Sequence, residues 1–410
     1  MPPHSLDAPN VSPKLQDGGV LSIDEARAEV LAAVTPLPAE EVALADAQGR
    51  VLAEDLTTPH ATPPFDTTAM DGFAVRAGDA GRRLRVVGES RAGAPHEGPA
   101  LQDGEAIRIS TGAALPAGAD GVLQVELVDD DGDHVVLRDP VAAGRNVRRA
   151  GEDTQAGATV LRAGASLGPA ELGVAANAGH ARFAVARRPR VVVLGTGDEL
   201  VPPGEPLGPG QVHDANTTTL AALARDEGAR VTTRRVPDDR AATEAAIAQA
   251  LDEADLLLLS GGVSVGPHDH VKPALEAQGV VERFWRVALR PGKPTWCGSA
   301  RDGTLVLGLP GNPVSALVTA VLFARPALRA MQGARPLPRP GRARLGTAIA
   351  RNPQRDECVR VRLDDDGVAH PTGPQGSHVL TSMLGADALA LVPRGEGELA
   401  AGAAVELLPL

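Results

Sequence analysis

From residue 190 onward, short apolar runs and amphipathic stretches alternate at a regular spacing. VVVLG, RVTTRRV, DLLLLS, FWRVALR, PTWCG and TLVLGLP read as strands. ANTTTLAALARDEGA, AATEAAIAQALDEA, VKPALEAQG and PVSALVTAVLFARPAL read as helices. A short unbroken apolar run bounded by turn residues marks a strand buried on both faces. Strands of that kind alternating with helices predict a doubly wound α/β sheet, with ligand loops at the carboxyl ends of its strands. Upstream the pattern is different. GFAVRAG, RRLRVVGES, EAIRIST and GVLQVELVDDDGDHVVL are short strands separated by turns, which predicts a β-rich domain over 59–145. Helical signals flank it. Ser22 with Glu25 forms a capping box for IDEARAEVLAAV, and GPAELGVAANAG is a helix stopped by Gly179.

The β-rich block therefore reads as an insertion. Segments 21–58 and 146–186 form a discontinuous helical and extended linker domain, 187–333 the α/β domain, and 334–410 a C-terminal domain of short strands. Residues 1–20, rich in Pro, Asp and Gly, read as a disordered leader. The acidic run DDDGD (129–133) fails as a calcium loop, because His134 stands where an EF-hand needs glycine. It reads as a hairpin turn, as does LDDDGV at 363–368.

Composition narrows the class. A length of 410 residues suggests about two to four domains. The net charge of −12 argues against nucleic-acid and anionic-membrane partners, which need a positive field. Cys297 and Cys358 make no CxxC pair, so neither a disulfide framework nor a thiolate zinc site is expected. No signal-peptide pattern opens the chain and no apolar run stands out as membrane-spanning, so a cytoplasmic location is expected. Of 40 basic residues only Lys14, Lys272 and Lys293 are lysines. Two of these lie beside glycine-rich loops, where a compact ammonium differs from a guanidinium at an oxyanion; chance surface placement is the competing reading.

Four loops at strand ends carry the candidate chemistry. LGTGDEL starts like a dinucleotide fingerprint at Gly195 and Gly197, but Leu200 replaces the third glycine. Asp198 and Glu199 would repel phosphate unless a divalent cation lay between them, and hard carboxylate oxygens suit Mg²⁺. A helix-capping role for Asp198 is the alternative. SGGVSVGPHDHVK offers the amides of Gly261 and Gly262 and the hydroxyls of Ser260 and Ser264, an oxyanion nest. His268 and His270 lack a third nitrogen ligand nearby, which makes zinc a poor fit. Asp269 fits a metal or hydroxyl partner, and Lys272 a phosphate partner. RPGKP sets Arg290 and Lys293 on a turn stiffened by Pro294, and two cations there imply a multiply charged anion. In GLPGNPVSA, Asn312 is a candidate N-cap and Pro313 a first helical residue, so the amides of Val314 and Ser315 are expected to face outward. Outside the α/β domain, PPFDTTAMDGFAV, TGA at 111–113 and RRAGEDT hold acids and hydroxyls that read as site-lining.

In this order, PPFDTTAMDGFAV, RISTGA, RRAGEDT, LGTGDEL, SGGVSVG..D..K, RPGKP and GLPGNPVSA resemble the MoeA family, the molybdopterin molybdenumtransferases, which includes the gephyrin E domain. TGPQGSHVLTSMLGADALALVP resembles the family's last domain. The resemblance implies a molybdopterin-binding α/β domain, an inserted β-rich domain, a linker domain used in dimerisation and a β-barrel-like final domain. It implies insertion of molybdate into adenylylated molybdopterin, with Mg²⁺-dependent release of AMP. It also implies a homodimer whose cleft lies between subunits, and a molybdopterin adenylyltransferase as upstream partner. Carried across residue by residue, it gives Asp66, Thr111, Asp153, Glu199, Asp269 and Lys293 as catalytic, and Asp198, Glu199 and Asp269 as metal-binding. It gives Gly195, Gly197, Ser260, Gly261, Gly262, Ser264, Lys272, Arg290, Pro294, Pro310, Gly311, Asn312, Pro313, Ser315, Arg355 and Ser377 as substrate-binding, with Arg355 and Ser377 near molybdate. Two positions depart from the pattern: Arg290 replaces the first lysine of the KPGKP turn, and Cys358 replaces an aromatic. The competing readings are a nucleotide-dependent oxidoreductase, a non-catalytic molybdopterin-binding scaffold or carrier, and an amidase-like or adenylyltransferase relative sharing only the α/β domain, against which the matches at 63–75 and 371–393 argue.

Overall fold

The computed structural model describes residues 19–262 and 270–410, which fall into two compact units. One comprises residues 41–48 and 54–183; the other comprises 19–40, 49–53 and the rest of the chain from Ala184. Helix α1 (Ile23–Ala32) opens on the expected capping box: the Glu25 amide donates to the Ser22 hydroxyl at 3.2 Å, and the Ser22 amide to the Glu25 carboxylate at 3.0 Å. Its inward residues Ile23, Ala26 and Val30 join the apolar core of the α/β sheet. Packing thus joins α1 to the α/β sheet.

The smaller unit is built on a six-stranded sheet. Its strands are β1 (Gly72–Val75), β2 (Arg83–Ser90), β3 (Glu105–Ile109), β4 (Gly121–Gln124), β5 (Val128–Asp130) and β6 (His134–Leu137), in the order β4-β1-β3-β2-β6-β5. The acidic run is the β5–β6 turn; two of its carboxylates serve its own backbone, and Asp129, Asp130 and Asp131 also pair with Arg138, Arg108 and Arg83. Asp130 accepts from the Gly132 amide at 2.9 Å and Asp131 from the His134 amide at 2.7 Å. Helix α2 (Pro169–Asn177) follows, and Gly179 takes the left-handed conformation at φ 82° that ends it.

In the larger unit the alternating pattern is realised as β7 (Arg190–Thr196), α3 (Ala215–Asp226), β8 (Arg230–Val236), α4 (Arg240–Glu253), β9 (Leu256–Ser260), α5 (Val271–Ala277) and β10 (Val281–Trp285). Then come β11 (Leu289–Arg290), β12 (Trp296–Ser299), β13 (Leu305–Leu309) and a long helical segment from Pro313 to Met331. The sheet order is β8-β7-β9-β13-β12-β10. The first four strands are parallel, and β12 and β10 add an antiparallel edge. Both faces are covered: Val191, Val193, Leu256 and Leu258 pack with α1 and α3, whereas Val192, Leu194, Leu257 and Leu259 pack with α4 and α5. Burying each such side chain is worth roughly 1.5–3 kcal/mol, which is why the four leucines fix this strand centrally.

Two expectations need correction. FWRVALR is not one strand: the chain breaks at Arg286, which has φ 83°, and Leu289–Arg290 pairs elsewhere. Apolar residues at Phe284, Val287 and Leu289 had mimicked one continuous strand, yet all three are core residues on either side of a bend. The Pro313–Met331 helix is 19 residues long and apolar enough to cross a membrane by composition, but 78% of it is buried inside the protein, as a core helix. It contains a π-helical turn at Ala320–Ala324 just before Pro326, a way to accommodate a proline that cannot donate.

The C-terminal strands are β14 (Gly341–Leu345), β15 (Asp356–Leu363), β16 (Val368–Pro371), β17 (Ala388–Val392) and β18 (Ala404–Pro409). They pair in the cycle β15-β16-β14-β18-β17-β15, a closed barrel around Leu345, Val361, Ala390 and Leu407. Strand β11 adds to β15 in parallel, with Arg290 opposite Glu357. That pairing ties the RPGKP turn to the barrel.

Candidate functional site

Register sets the site. Gly195 lies beside Ser260 and Ser260 beside Leu309, so three of the four loops leave adjacent parallel strands at one edge. Gly262 has φ 65°, and a Cβ there would meet Val271 Cγ2 at 2.4 Å and Thr196 Oγ1 at 2.9 Å. Only glycine passes so close to the first loop in that conformation. Gly261 sits opposite Gly311, whose Cβ would lie 3.9 Å from the Gly261 Cα. Ser264, Asp269 and His268 lie outside the described residues.

No helix follows LGTGDEL. After Gly197, Asp198 and Glu199 the chain forms a short extended segment, and α3 starts only at Ala215, capped by Asp214. Asp198 is therefore not a helix cap, and the dinucleotide reading loses the helix N-terminus that a pyrophosphate would need. Asp198 instead trades bonds with the next loop: it accepts from the Asp238 amide at 3.0 Å, and its own amide donates to Asp238 at 3.4 Å. Glu199 folds back over Gly197, where a Cβ would lie 2.3 Å from its carboxylate. Both acids are exposed, and neither has an ion pair among the described residues. Nor do three or more His, Cys, Asp or Glu gather among the described residues into a ready metal cluster.

Asn216, at the start of α3, escaped the sequence reading. Its amide donates to the Ser260 hydroxyl at 2.9 Å and to the Gly311 carbonyl at 2.7 Å, joining two loops. The preceding Asp214 is 2% exposed and accepts from the Thr217 amide at 3.0 Å and its hydroxyl at 2.5 Å. A cap followed by Asn and three threonines was the available signal, but the partners lie 44 and 95 residues away.

The RPGKP turn separates its two cations. Arg290 is paired with Glu357 at 2.7 Å, across the β11–β15 contact. Lys293 is exposed and has no side-chain hydrogen bond or ion pair among the described residues. The two cations that the turn was expected to offer one anion differ because the barrel supplies a carboxylate to Arg290. Thr295 holds the turn by donating its hydroxyl to the Gly292 carbonyl at 2.7 Å, leaving Pro294 half-buried. Lys272 is also engaged: its Nζ lies 3.5 Å from the Trp285 ring centre and 3.7 Å from Glu282.

The helix at Pro313 corrects a second expectation. Asn312 makes no side-chain cap bond, Ser315 is 4% exposed, and the Val314 amide donates to the Ser377 carbonyl at 3.1 Å. A barrel loop thus occupies the helix start, so these amides do not face outward as a free anion nest. Pro310 is buried and holds Gly311 toward Asn216. Arg355 is half-buried with its guanidinium unpaired among the described residues; its amide donates to Asn352 at 3.0 Å. Cys358 and Cys297 are buried and unbridged, and burial pushes the Cys358 thiol up to about 12. It is a small buried core residue there.

In the smaller unit the remaining motifs meet. The Gly151 amide donates to Pro63 O at 2.9 Å, Gly112 to Thr68 O at 3.0 Å, and Thr154 bridges to Thr62. Asp66 accepts from the Ala150 amide at 2.8 Å and from Arg149 at 2.6 Å. The amide first and the guanidinium second hold its carboxyl below the ordinary range. Thr111 is exposed, its amide donating to Asp71 at 2.6 Å, and Asp153 is exposed beside Thr154.

An α/β sheet with glycine loops at its carboxyl edge, and with exposed charges there that lack ion pairs among the described residues, is joined to a closed barrel, an architecture whose ligand sites lie at the carboxyl ends of the strands. Residues 21–179 match the MoeA N-terminal region (domains I and II), 192–330 a probable molybdopterin-binding domain, and 342–410 the MoeA C-terminal region (domain IV). Molybdopterin molybdenumtransferase 2 of Mycobacterium tuberculosis is 39% identical over 399 residues, spanning 93% of this chain and 97% of that protein. The Haemophilus influenzae molybdopterin molybdenumtransferase is 36% identical over 404 residues, with 95% and 98% covered. A crystal structure of the molybdopterin biosynthesis protein MoeA from Pyrococcus horikoshii superposes with a TM-score of 0.83 at 28% identity, covering 96% of this chain and 100% of that one. The chain belongs to the MoeA family of molybdopterin molybdenumtransferases.

Proposed function

We propose that this protein is the transferase of molybdenum cofactor biosynthesis that inserts molybdate into adenylylated molybdopterin and releases AMP. Family membership supports an enzyme of this pathway. The observation that carries the chemistry is the carboxyl edge of the sheet, where Lys293, Asp198 and Glu199 have no ion pair among the described residues and stand beside glycine loops tied by Asn216. Lys293 holds the oxyanion, with Arg355 and Ser377 on the barrel side. Arg290 braces the turn through Glu357 and adds its charge at longer range. Gly195, Gly197, Ser260, Gly261, Gly262, Pro310, Gly311, Pro313 and Ser315 shape the pterin and phosphate walls, and Lys272 leaves Trp285 to meet phosphate.

Asp198 and Glu199, with Asp269, fit a hard divalent cation, because all offer carboxylate oxygen. When bound, Mg²⁺ supplies charge neutralisation at the phosphoanhydride. The chain's own residues contribute position and a fixed field, with no protein nucleophile. We place Asp66, Thr111 and Asp153 at the cleft of a homodimer, where each smaller unit completes the site of the other copy; their convergence in one loop cluster supports this. The protein works in the cytoplasm and receives its substrate from a molybdopterin adenylyltransferase. AMP release from adenylylated molybdopterin with Mg²⁺ should require molybdate. A folded protein that releases none with molybdate present would favour a carrier or scaffold instead.

A further inference from the structure

Arg360 is fully buried in the barrel wall at 0% exposure, a place where a guanidinium needs partners. Its Nε donates to the Ser382 hydroxyl at 3.1 Å, and one terminal nitrogen donates to the carbonyls of Pro374 at 3.0 Å and Gly376 at 3.2 Å. Its amide donates to Gln375 Oε1 at 2.9 Å, and Gln375 Nε2 donates back to the Arg360 carbonyl at 3.2 Å. Nη1 has no partner among the described residues. The loop held in this way ends at Ser377, whose carbonyl accepts the Val314 amide at 3.1 Å. A continuous path therefore runs from a buried cation, through residues 374–377, to the first turn of the helix behind Pro310-Gly311-Asn312-Pro313. Lysine could not copy it, since a single ammonium has no planar fork to span the Ser382 hydroxyl and two carbonyls.

We infer that Arg360 is a positioning residue: it sets the 374–377 loop against the Pro310–Pro313 turn and so fixes the wall on which the oxyanion rests, without touching substrate. This rests on the function proposed above.

The test compares Arg360→Lys and Ser382→Ala with the parent protein. Native-state hydrogen exchange reads the loop without any substrate, and the KM for molybdate against kcat reads the site. In Arg360→Lys, the Val314 amide and the Val379 amide, which donates to the Gly376 carbonyl at 3.3 Å, should exchange about tenfold faster, while the barrel strands stay protected. The KM for molybdate should rise about tenfold with kcat held within about threefold. Ser382→Ala, which removes one arm and keeps the core filled, should shift both in the same direction by less. Parent-like exchange at Val314 in the two variants overturns the inference, even if their Tm falls, because the role is then only structural. Faster exchange with an unchanged molybdate KM also overturns it. If the parent protein shows no molybdate-dependent turnover, the proposed function fails. The KM arm then has no substrate to read, and the wall is scored by competition of molybdate with labelling of Lys293, which Arg360→Lys should weaken; equal competition overturns the inference.

Discussion

At the amino edge of the α/β sheet, Arg187 and Arg190 both grip Asp255. Arg187 makes two bonds at 2.9 and 3.0 Å, and Arg190 two through its guanidinium at 2.8 and 3.4 Å and another at 2.8 Å through its amide. Burial alone would raise the Asp255 carboxyl, yet these bonds outweigh it and hold it at about 2. At the carboxyl edge of the same strands, Asp198, Glu199 and Lys293 are exposed and without ion pairs among the described residues. The same sheet thus neutralises its charges internally at one edge and leaves exposed charges without ion pairs, among the described residues, at the other. Charge density alone would not tell the edges apart; the pairing does.

The largest expected effect tests the open edge. Lys293→Ala should lower molybdate-dependent turnover by at least about a hundredfold, the usual loss for one preorganised electrostatic contact, with Tm unchanged. Steady-state rates alongside a melting curve check this, and near-parent turnover would break the comparison. Next comes the closed edge. A carboxyl whose folded value lies below its unfolded one stabilises the fold above about pH 4, and stops doing so as the pH falls through about 2. A shift from 3.8 to about 2 corresponds to about 2 kcal/mol. Asp255→Asn should lose about that much stability at neutral pH and flatten the acid limb of denaturant titrations between about pH 4 and 2, with activity retained. An unchanged midpoint would mean that the arginines find other partners.

Asn216→Ala should raise KM about tenfold, since loosening Ser260 from Gly311 misplaces two loops without removing a charge. The smallest effect belongs to Arg290→Lys. Its pair with Glu357 is exposed on the arginine side, so stability should change by no more than about 1 kcal/mol and turnover by less than about threefold. A large loss there would move the free cation from Lys293 to Arg290.

Most of this architecture was legible in local pattern. Four consecutive leucines, a capping box and glycines at strand ends report on their own neighbourhoods, and the structure places them accordingly. What escaped notice was decided by distant segments. Arg290 looked free because Glu357 lies 67 residues away, on a barrel strand that periodicity cannot dock. The Val314 amide looked open because Ser377, 63 positions on, fills it from another domain. Arg360 stands in a run read for Arg355, and a fully buried arginine runs against every burial expectation for that residue type. The glycine-rich strand-end loops are visible in sequence; the contacts that brace them are tertiary.

Because the chain holds only three lysines, the central claim can be read directly by amine labelling. The protein would be treated with an acylating reagent, with and without adenylylated molybdopterin and tungstate, and modification at Lys14, Lys272 and Lys293 quantified by mass spectrometry. Protection at Lys293 and at Lys272, with Lys14 unchanged, is the predicted result. Equal labelling of Lys293 in both samples would contradict the assignment of the carboxyl edge as the site.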